Sequence, residues 1–151
     1  MADVALRGDL PDVNVWLALV NEQHVHHDAA VDYWNLVAAG RVFLCRITML
    51  GLLRLSTNRS VMGGTPFTVE QAWDALQRIV DLPEIGFQGE SDGLDATMRR
   101  FSQLDGFRSA DWTDAYLAAL ASQAHLRMVS FDRGFARYHG LSSLTLAAKI
   151  S

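Results

Sequence analysis

Three aspartates in distinct sequence contexts are the residues of this chain best suited to do chemistry. They are Asp12 in LPDVNVWLAL, Asp114 in DWTDAYLAALA and Asp132 in MVSFDRGF, and each lies where a strand-like run ends or a helix-like run begins. In an α/β protein this arrangement can bring distant carboxylates together at one edge of a sheet. A carboxylate cluster is unfavourable unless a cation neutralises it, and hard divalent ions prefer oxygen ligands. The pattern therefore indicates a Mg²⁺ or Mn²⁺ site, for which phosphoryl chemistry is a common use.

Each aspartate also has a structural interpretation. Asp12 could be a helix N-cap, Asp114 could complement the dipole of its helix, and Asp132 could be a turn or N-cap residue. Asp111 lies three residues before Asp114, so both would face the same way on a helix. Asp111 could thus supply a fourth acid, or be a surface acid favoured by the helix dipole.

The elements that must position these acids alternate between strand and helix. Short apolar runs predict strands that end near Asp12 and cover 42–47, 85–88, 128–131 and 144–146. Helical periodicity, caps and breakers predict helices from Asp12 to Val20 and over 27–39, 48–56, 68–81, 94–104, 109–124 and 134–138. Thr48, Thr68 and Ser109 are the expected caps. Such alternation predicts one three-layer α/β/α domain over residues 1–151, with a mostly parallel central sheet.

Composition narrows the class of protein. The chain has 151 residues, half of them apolar and a fifth charged, which is typical of a globular protein. Its one cysteine, Cys45, cannot form an internal disulfide and is expected in the core. No apolar stretch is long enough to span a bilayer, and the N-terminal residues lack a signal-peptide pattern, so we expect a cytoplasmic protein with no membrane partner.

The charge balance bears on nucleic-acid binding. A net charge of −4 argues mildly against a nucleic-acid partner. However, Lys149 is the only lysine, and arginine has the fork geometry suited to phosphate.

Four segments, taken together, resemble a known family. DVNVWLAL, ITMLGLLRLSTN, TDAYLAALA and SFDRGF occur in the order found in PIN domains, and more narrowly in VapC-type toxin ribonucleases of bacterial toxin–antitoxin pairs. The resemblance extends from Leu10 to Leu146. It implies a PIN fold, a Mg²⁺- or Mn²⁺-dependent endoribonuclease, a homodimer and inhibition by a small VapB-like antitoxin. The implied substrate is a structured cellular RNA such as a tRNA or a ribosomal RNA loop. Asp12, Asp114 and Asp132 match the family's metal-binding aspartates.

Two positions depart from the family pattern. Gly51 stands where the family usually has a glutamate, which weakens the expectation of two tightly bound metal ions. Pro11 precedes Asp12, and proline removes a hydrogen-bond donor from a central strand. We therefore expect that strand to be short, or to end at Pro11.

Further residues could support such a site, and each has a structural alternative. Asn14 could orient Asp12 or a water molecule, or cap the helix. Thr48 could form a hydrogen bond into the site, or be an N-cap. Arg54 and Arg133 could bind RNA phosphate, or be surface charges or partners in ion pairs. The spacing of His24, His26 and His27 in HVHH lacks a matching set of metal ligands, and favours a role in the loop and at the helix start.

Large aromatic residues lie at helical apolar positions. The tryptophans (Trp16, Trp34, Trp73 and Trp112) are expected in the core or at interfaces rather than as base-stacking surfaces. Trp34, Trp73 and Tyr33 could line grooves for an antitoxin or for a second copy of the chain.

Two other functions compete with a toxin nuclease. A catalytically weak PIN module that acts by binding RNA or antitoxin is favoured by Gly51. A receiver domain or a haloacid-dehalogenase-like phosphatase would also use aspartates. DVNVW lacks the second aspartate that such phosphatases need, and Lys149 lies too near the end for a receiver domain.

Overall fold

The computed structural model describes residues 5–38 and 40–147, which form one parallel sheet covered by helices. The strands are β1 (Gly8–Pro11), β2 (Val42–Leu44), β3 (Ile85–Phe87), β4 (Leu126–Ser130) and β5 (Ser143–Thr145). The α-helices are α1 (Val13–Val20), α2 (His27–Asp32), α3 (Arg46–Ser56), α4 (Val69–Val80), α5 (Leu94–Phe101) and α6 (Trp112–Ala124). The strand order is β3-β2-β1-β4-β5, and all four pairings are parallel.

The sheet separates two helical layers, as the alternating pattern predicted. Leu10, Phe43 and Met128 point to the side of α5 and α6, whereas Val42 and Leu44 pack with residues of α1, α3 and α4. This division follows from the two-residue repeat of a strand, which sends successive side chains to opposite faces. The prediction of a three-layer α/β/α fold is confirmed. Cys45 is fully buried in the core on the α6 side.

Two local predictions hold in detail. β1 is central and ends at Pro11, and the backbone N–H of Asp12 donates to the carbonyl of Val129. Pro11 thus lies where the missing donor affects only the last position of the strand. Thr68 caps α4 and forms a capping box with Gln71, as the TVEQ sequence predicted.

Two predicted caps are wrong. α3 begins at Arg46 with Cys45 as its N-cap, and Thr48 lies three residues further on, where its hydroxyl oxygen accepts a hydrogen bond from the N–H of Cys45. Ser109 is not the cap of α6, because Ser109–Asp111 form a separate 3₁₀ turn before the helix starts at Trp112.

Other differences concern helix length and burial. The 27–39 helix is α2 followed by a π-helical turn at Tyr33–Val37, and Ala39 lies outside the described residues. The helix predicted over 94–104 ends at Phe101. Trp73 and Trp112 are 55% and 51% exposed, so a core position is wrong for both, and the alternative of an interface position stays a prediction. No helix in the described part of the chain is long and apolar enough to cross a membrane.

Candidate active site

The three aspartates lie at the carboxyl-terminal edge of the sheet, where their sequence contexts placed them. Asp12 follows β1 and Asp132 follows β4, its neighbour in the sheet. Asp114 lies in the first turn of α6. Since only His125 separates α6 from β4, the two run in opposite directions and the start of α6 lies at the same edge as the end of β4. Electrostatic interactions connect all three carboxylates.

Asp12 is the most buried of the three, at 7% exposure. One carboxylate oxygen accepts from the N–H of Val13 at 2.7 Å, and the other accepts from the Ser130 hydroxyl at 2.8 Å. Burial raises the pKa of Asp12, and the charge of Asp132 adds to this effect, while the two hydrogen bonds oppose it. Asp12 is also the N-cap of α1, so its structural interpretation is confirmed, and its chemical role stays a prediction.

Ser130 is a site residue that the sequence analysis missed. Its hydroxyl donates to Asp12 Oδ2, and it accepts from the N–H of Asp132 at 2.9 Å and from Asn14 Nδ2 at 3.1 Å. One donor and two acceptor sites are all that a hydroxyl offers, so Ser130 is saturated and its orientation is fixed. The only sequence signal is a serine at the end of the strand beside Asp12. Asn14 is therefore linked to Asp12 through Ser130, and its supporting role at the site stays a prediction.

Asp132 is exposed and is held by its own turn. Its Oδ1 accepts from the N–H of Gly134 at 2.8 Å, which makes it the N-cap of a 3₁₀ turn over Arg133–Arg137. The turn role foreseen for Asp132 is therefore real. The hydrogen bond from the Gly134 N–H orients the carboxylate of Asp132, and the role of Asp132 as a metal ligand stays a prediction.

The pKa of Asp114 is raised by burial and by the neighbouring carboxylates. Burial, followed by the charges of Asp12, Asp132 and Asp111, raises the pKa of Asp114 to about 6, and Arg137 opposes the rise. Crowded carboxylate oxygens are the donor set that a hard divalent cation prefers, so the residues fit such an ion. Among the described residues, however, no three His, Cys, Asp or Glu side chains already converge at metal-binding distance.

The raised pKa predicts a pH-dependent stability for the metal-free protein. The folded-state pKa of Asp114, about 6, exceeds its ordinary value of 3.8, so the folded state holds this proton more tightly than the unfolded state. The resulting stability is full below pH 3.8 and is lost as the pH rises through 6. After discounting for partial exposure, we expect a loss of about 1–2 kcal/mol.

Urea unfolding in EDTA at pH 4, 5, 6 and 7 measures this loss. Asp114→Asn should flatten the profile relative to the wild type. An unchanged difference between pH 4 and pH 7 in that variant would exclude Asp114 as the source.

Asp111 is engaged in contacts that favour its structural interpretation. It is 5% exposed, accepts from the N–H of Arg108 at 2.9 Å, and forms ion pairs with Arg137 at 3.3 Å and Arg108 at 3.7 Å. The backbone hydrogen bond from Arg108 lowers its pKa first, although burial opposes this, and both arginines add to the lowering. Asp111 thus fixes the turn that leads into α6, and its role as a fourth acid stays a prediction.

The remaining supporting candidates lie apart from the acids or at the surface. Thr48 is fully buried, and its hydroxyl donates to the carbonyl of Cys45 besides accepting from the N–H of that residue. These contacts favour a structural role at the third position of the α3 capping box, with Cys45 as the N-cap, over a hydrogen bond into the site. Arg54 and Arg133 are exposed, and Arg133 directly follows Asp132. Both are free to contact a polyanion from solvent, so their role in RNA binding stays a prediction.

Gly51 has a packing reason that the sequence did not show. A Cβ atom at this position would lie 2.9 Å from Val13 Cγ2 and 3.3 Å from Val13 Cβ. Gly51 therefore allows α3 to cross closely over the first turn of α1. Because Val13 directly follows Asp12 and donates to its carboxylate, this contact also supports the site.

Gly51→Ala is expected to destabilise the fold, although alanine favours helices. The gain of about 1 kcal/mol in helix propensity is offset by overpacking against Val13, which typically costs about 1–3 kcal/mol. We expect a net loss of about 1 kcal/mol in urea unfolding. Combining it with Val13→Ala removes the 2.9 Å contact with Cγ2 and keeps the 3.3 Å contact with Cβ, so Gly51→Ala should then cost less than it does in the wild type. Stabilisation by Gly51→Ala alone would contradict the packing account.

Comparisons with known proteins agree with this fold. The PIN domain family model matches residues 10–141. Ribonuclease VapC41 of Mycobacterium tuberculosis is 39% identical over 143 residues, which cover 91% of this chain and 98% of that protein. The structure of VapBC2 from Rickettsia felis bound to a promoter DNA fragment matches with a TM-score of 0.68 at 15% identity, covering 91% of this chain and 98% of that one. VapC20 of Mycobacterium tuberculosis, a Sarcin-Ricin loop cleaving toxin, matches at 0.65 and 17% identity, covering 88% and 98%.

Proposed function

The chain belongs to the PIN-domain family, and from this membership we propose that it is a VapC-type toxin endoribonuclease that hydrolyses RNA with metal-activated water. The observation that carries the proposal is the cluster of Asp12, Asp114 and Asp132 at one edge of the sheet, with the pKa of Asp114 raised to about 6. The similarity to VapC41, a protein named a ribonuclease, extends over nearly the full length of both chains.

The three aspartates are the proposed ligands of a Mg²⁺ or Mn²⁺ ion. Such an ion would lower the pKa of a bound water molecule and polarise the phosphate. The chain's own contribution is orientation: Ser130 and the N–H of Val13 fix the carboxylate of Asp12, and the N–H of Gly134 fixes that of Asp132. Attack by water on phosphorus, with departure of the 3′-oxygen, leaves a 5′-phosphate and a 3′-hydroxyl.

Substrate binding is proposed to use two exposed arginines. Arg133 follows Asp132 directly, and Arg54 lies one turn after Gly51 on α3. The guanidinium fork suits phosphate, so both residues would contact the RNA backbone. The proposed substrate class is a structured cellular RNA, either a tRNA or a ribosomal RNA loop. Support for a ribosomal loop comes from the fold similarity to VapC20, a Sarcin-Ricin loop cleaving toxin.

Cleavage of total cellular RNA by the purified protein tests this function. We expect discrete cuts that need Mg²⁺ or Mn²⁺, stop in EDTA, and leave 5′-phosphates when the product ends are sequenced. Products that end in 2′,3′-cyclic phosphate would overturn the mechanism, because they require attack by the ribose 2′-hydroxyl.

A catalytically weak PIN module is the second candidate. It is favoured by Gly51 at the usual glutamate position and by acids that, in the described residues, do not converge on one point. The same experiment separates the two functions. RNA binding without cleavage, by protein verified free of antitoxin and supplied with Mn²⁺, would favour the weak module.

The proposed inhibitor is a VapB-like antitoxin that docks in an apolar groove of about 630 Å³. Trp16, Trp34, Phe67 and Ile79 line this groove, together with the charged residues Glu22, Asp74 and Arg78. Trp16 Nε1 is buried and has no hydrogen-bond partner among the described residues. The apolar side chains of a partner segment could fill this groove.

Ala75→Arg tests the groove, because Ala75 lines it from α4. We expect at least a 100-fold loss of affinity for the product of the neighbouring antitoxin reading frame, since the new charge would be buried in an apolar contact. RNA cleavage should stay unchanged. Gln77→Arg is the matched control, because Gln77 is an exposed α4 residue that does not line the groove. Equal losses in both variants would exclude the groove.

A homodimer in the cytoplasm completes the proposal. Leu50 on α3 and Phe87 at the end of β3 are 54% and 53% exposed, which leaves apolar surface for a second copy. Light scattering of the wild type and of Leu50→Glu tests the dimer. A wild type that stays monomeric at micromolar concentration would overturn this part.

A further inference from the structure

The HVHH segment joins α1 to α2, and its three imidazoles make three different contacts. His24 Nδ1 accepts from the N–H of His26 at 3.0 Å, and His27 Nδ1 lies 2.7 Å from the carbonyl oxygen of Ala18. His24 therefore folds the loop, and His27 attaches the start of α2 to α1. Neither contact involves the acids, and neither accounts for the ring of His26.

His26 stacks on Phe131, which lies between two site residues. The ring centroids are 4.4 Å apart and the planes are inclined by 13°. Phe131 follows Ser130, whose hydroxyl holds Asp12, and precedes Asp132. Its backbone N–H also donates to Asn14 Oδ1 at 3.3 Å. The stack thus lies against the backbone segment that presents two parts of the site.

Strand alternation explains how this contact acts from behind the site. Arg127 and Val129 point to the face that carries Asp9 and Val15, whereas Met128 points to the face of α6. Continuing the alternation, Phe131 packs with Val15 and Val129, whereas the side chain of Ser130 points to the other face. His26 therefore supports the segment without contacting the carboxylates.

One ring nitrogen of His26 makes no hydrogen bond among the described residues. This nitrogen is Nδ1, and it is buried. The ring of His26 contacts Phe131 through its face. Stacking, rather than a hydrogen bond, is the interaction that a substitution must preserve.

We propose that His26 is a positioning residue, whose ring holds the Phe131 backbone so that Ser130 orients Asp12 and the turn after β4 presents Asp132. This inference rests on the proposed function for its consequence in catalysis. Its structural part concerns two amides: the N–H of Asp132, which donates to Ser130 Oγ, and the N–H of Gly134, which donates to Asp132 Oδ1.

Amide hydrogen exchange of Asp132 and Gly134 in metal-free protein tests the structural part. His26→Ala is expected to speed exchange at both amides by about tenfold, and His26→Phe, which keeps an aromatic ring, should restore protection. His27→Ala is the matched control, because it removes a histidine contact of the same segment that does not involve Phe131. Equal effects of the two alanine variants, or no rescue by phenylalanine, would overturn the inference.

Mn²⁺ affinity and RNA cleavage test the functional part. For His26→Ala we expect a loss of about tenfold in Mn²⁺ affinity by calorimetry and in kcat, a range seen when partners of metal ligands are removed. The KM for RNA should change less than threefold. Wild-type Mn²⁺ affinity and kcat in His26→Ala would overturn the functional part. A wild type that neither binds Mn²⁺ nor cuts RNA would instead overturn the proposed function, and amide exchange would still decide the role of His26.

Discussion

Asp12→Asn is expected to lower the rate of RNA cleavage by about 10³-fold or more while the fold stays intact. The substitution keeps the size of the side chain and one acceptor oxygen for Ser130 or Val13, and removes the charge proposed to bind the metal ion. Burial and the charge of Asp132 raise the pKa of Asp12, so the ionised side chain is already unfavourable in the metal-free fold. The neutral variant should therefore unfold at a urea concentration close to that of the wild type, because relief of the buried charge offsets the loss of one hydrogen bond.

The matched control is Glu84→Gln, which makes the same change of charge. Glu84 directly precedes β3, so it lies at the amino-terminal ends of the strands, away from the three aspartates. Single-turnover cleavage of one defined RNA at saturating Mn²⁺ measures all three proteins. The cleavage rate of Ser130→Ala should lie between those of Asp12→Asn and the wild type, at about 10–100-fold below the wild type. Ser130 orients Asp12 but carries no charge of its own. A cleavage rate of Asp12→Asn within tenfold of the wild type would mean that Asp12 is only the N-cap of α1.

The fold was largely predictable because its signals are local. The alternation of apolar strands and amphipathic helices, the TVEQ capping box and the proline before Asp12 each depend on a few neighbouring residues. The predicted helix boundaries were wrong where contacts between residues distant in sequence determine where a helix ends. The π-helical turn after α2 begins at Tyr33, whose hydroxyl donates to Asp9 in β1, and no periodicity in 27–39 shows that bond.

The proximity of the three candidate acids was predictable from the sequence, but the hydrogen-bond network around them was not, and their catalytic role stays a prediction. Asp12, Asp114 and Asp132 could be proposed because each has a strand end or helix start beside it. Ser130 could not, because one serine in a strand carries no signal until β4 lies next to β1. The packing reason for Gly51 likewise becomes visible only where α3 crosses Val13.

A buried ion pair beneath the site gives the largest expected change in stability. Asp9 in β1 faces Arg127 in β4, and two hydrogen bonds of 2.9 and 2.8 Å join its carboxylate to the guanidinium. Tyr33 donates to the same carboxylate, and Arg127 also donates to the carbonyl of Val37. These contacts join β1 and β4 to the π-helical turn at Tyr33–Val37. The side chain of Asp9 is fully buried, whereas that of Arg127 is 21% exposed.

Substitution of Arg127 should therefore lower the free energy of unfolding more than substitution of Asp9. Arg127→Met leaves a buried carboxylate without its cation, and we expect a loss of about 3–5 kcal/mol in the free energy of unfolding. Asp9→Asn keeps an acceptor for Tyr33 and leaves an arginine that can reach water, so about 1–2 kcal/mol is expected.

Urea unfolding of the two single variants and the double variant, followed by tryptophan fluorescence, tests this asymmetry. Once residue 9 is neutral, Arg127→Met should cost far less, so the double variant should be more stable than Arg127→Met alone. Additive losses would mean that Arg127 stabilises the fold by packing and by its bond to Val37, and that the charge of Asp9 is compensated elsewhere.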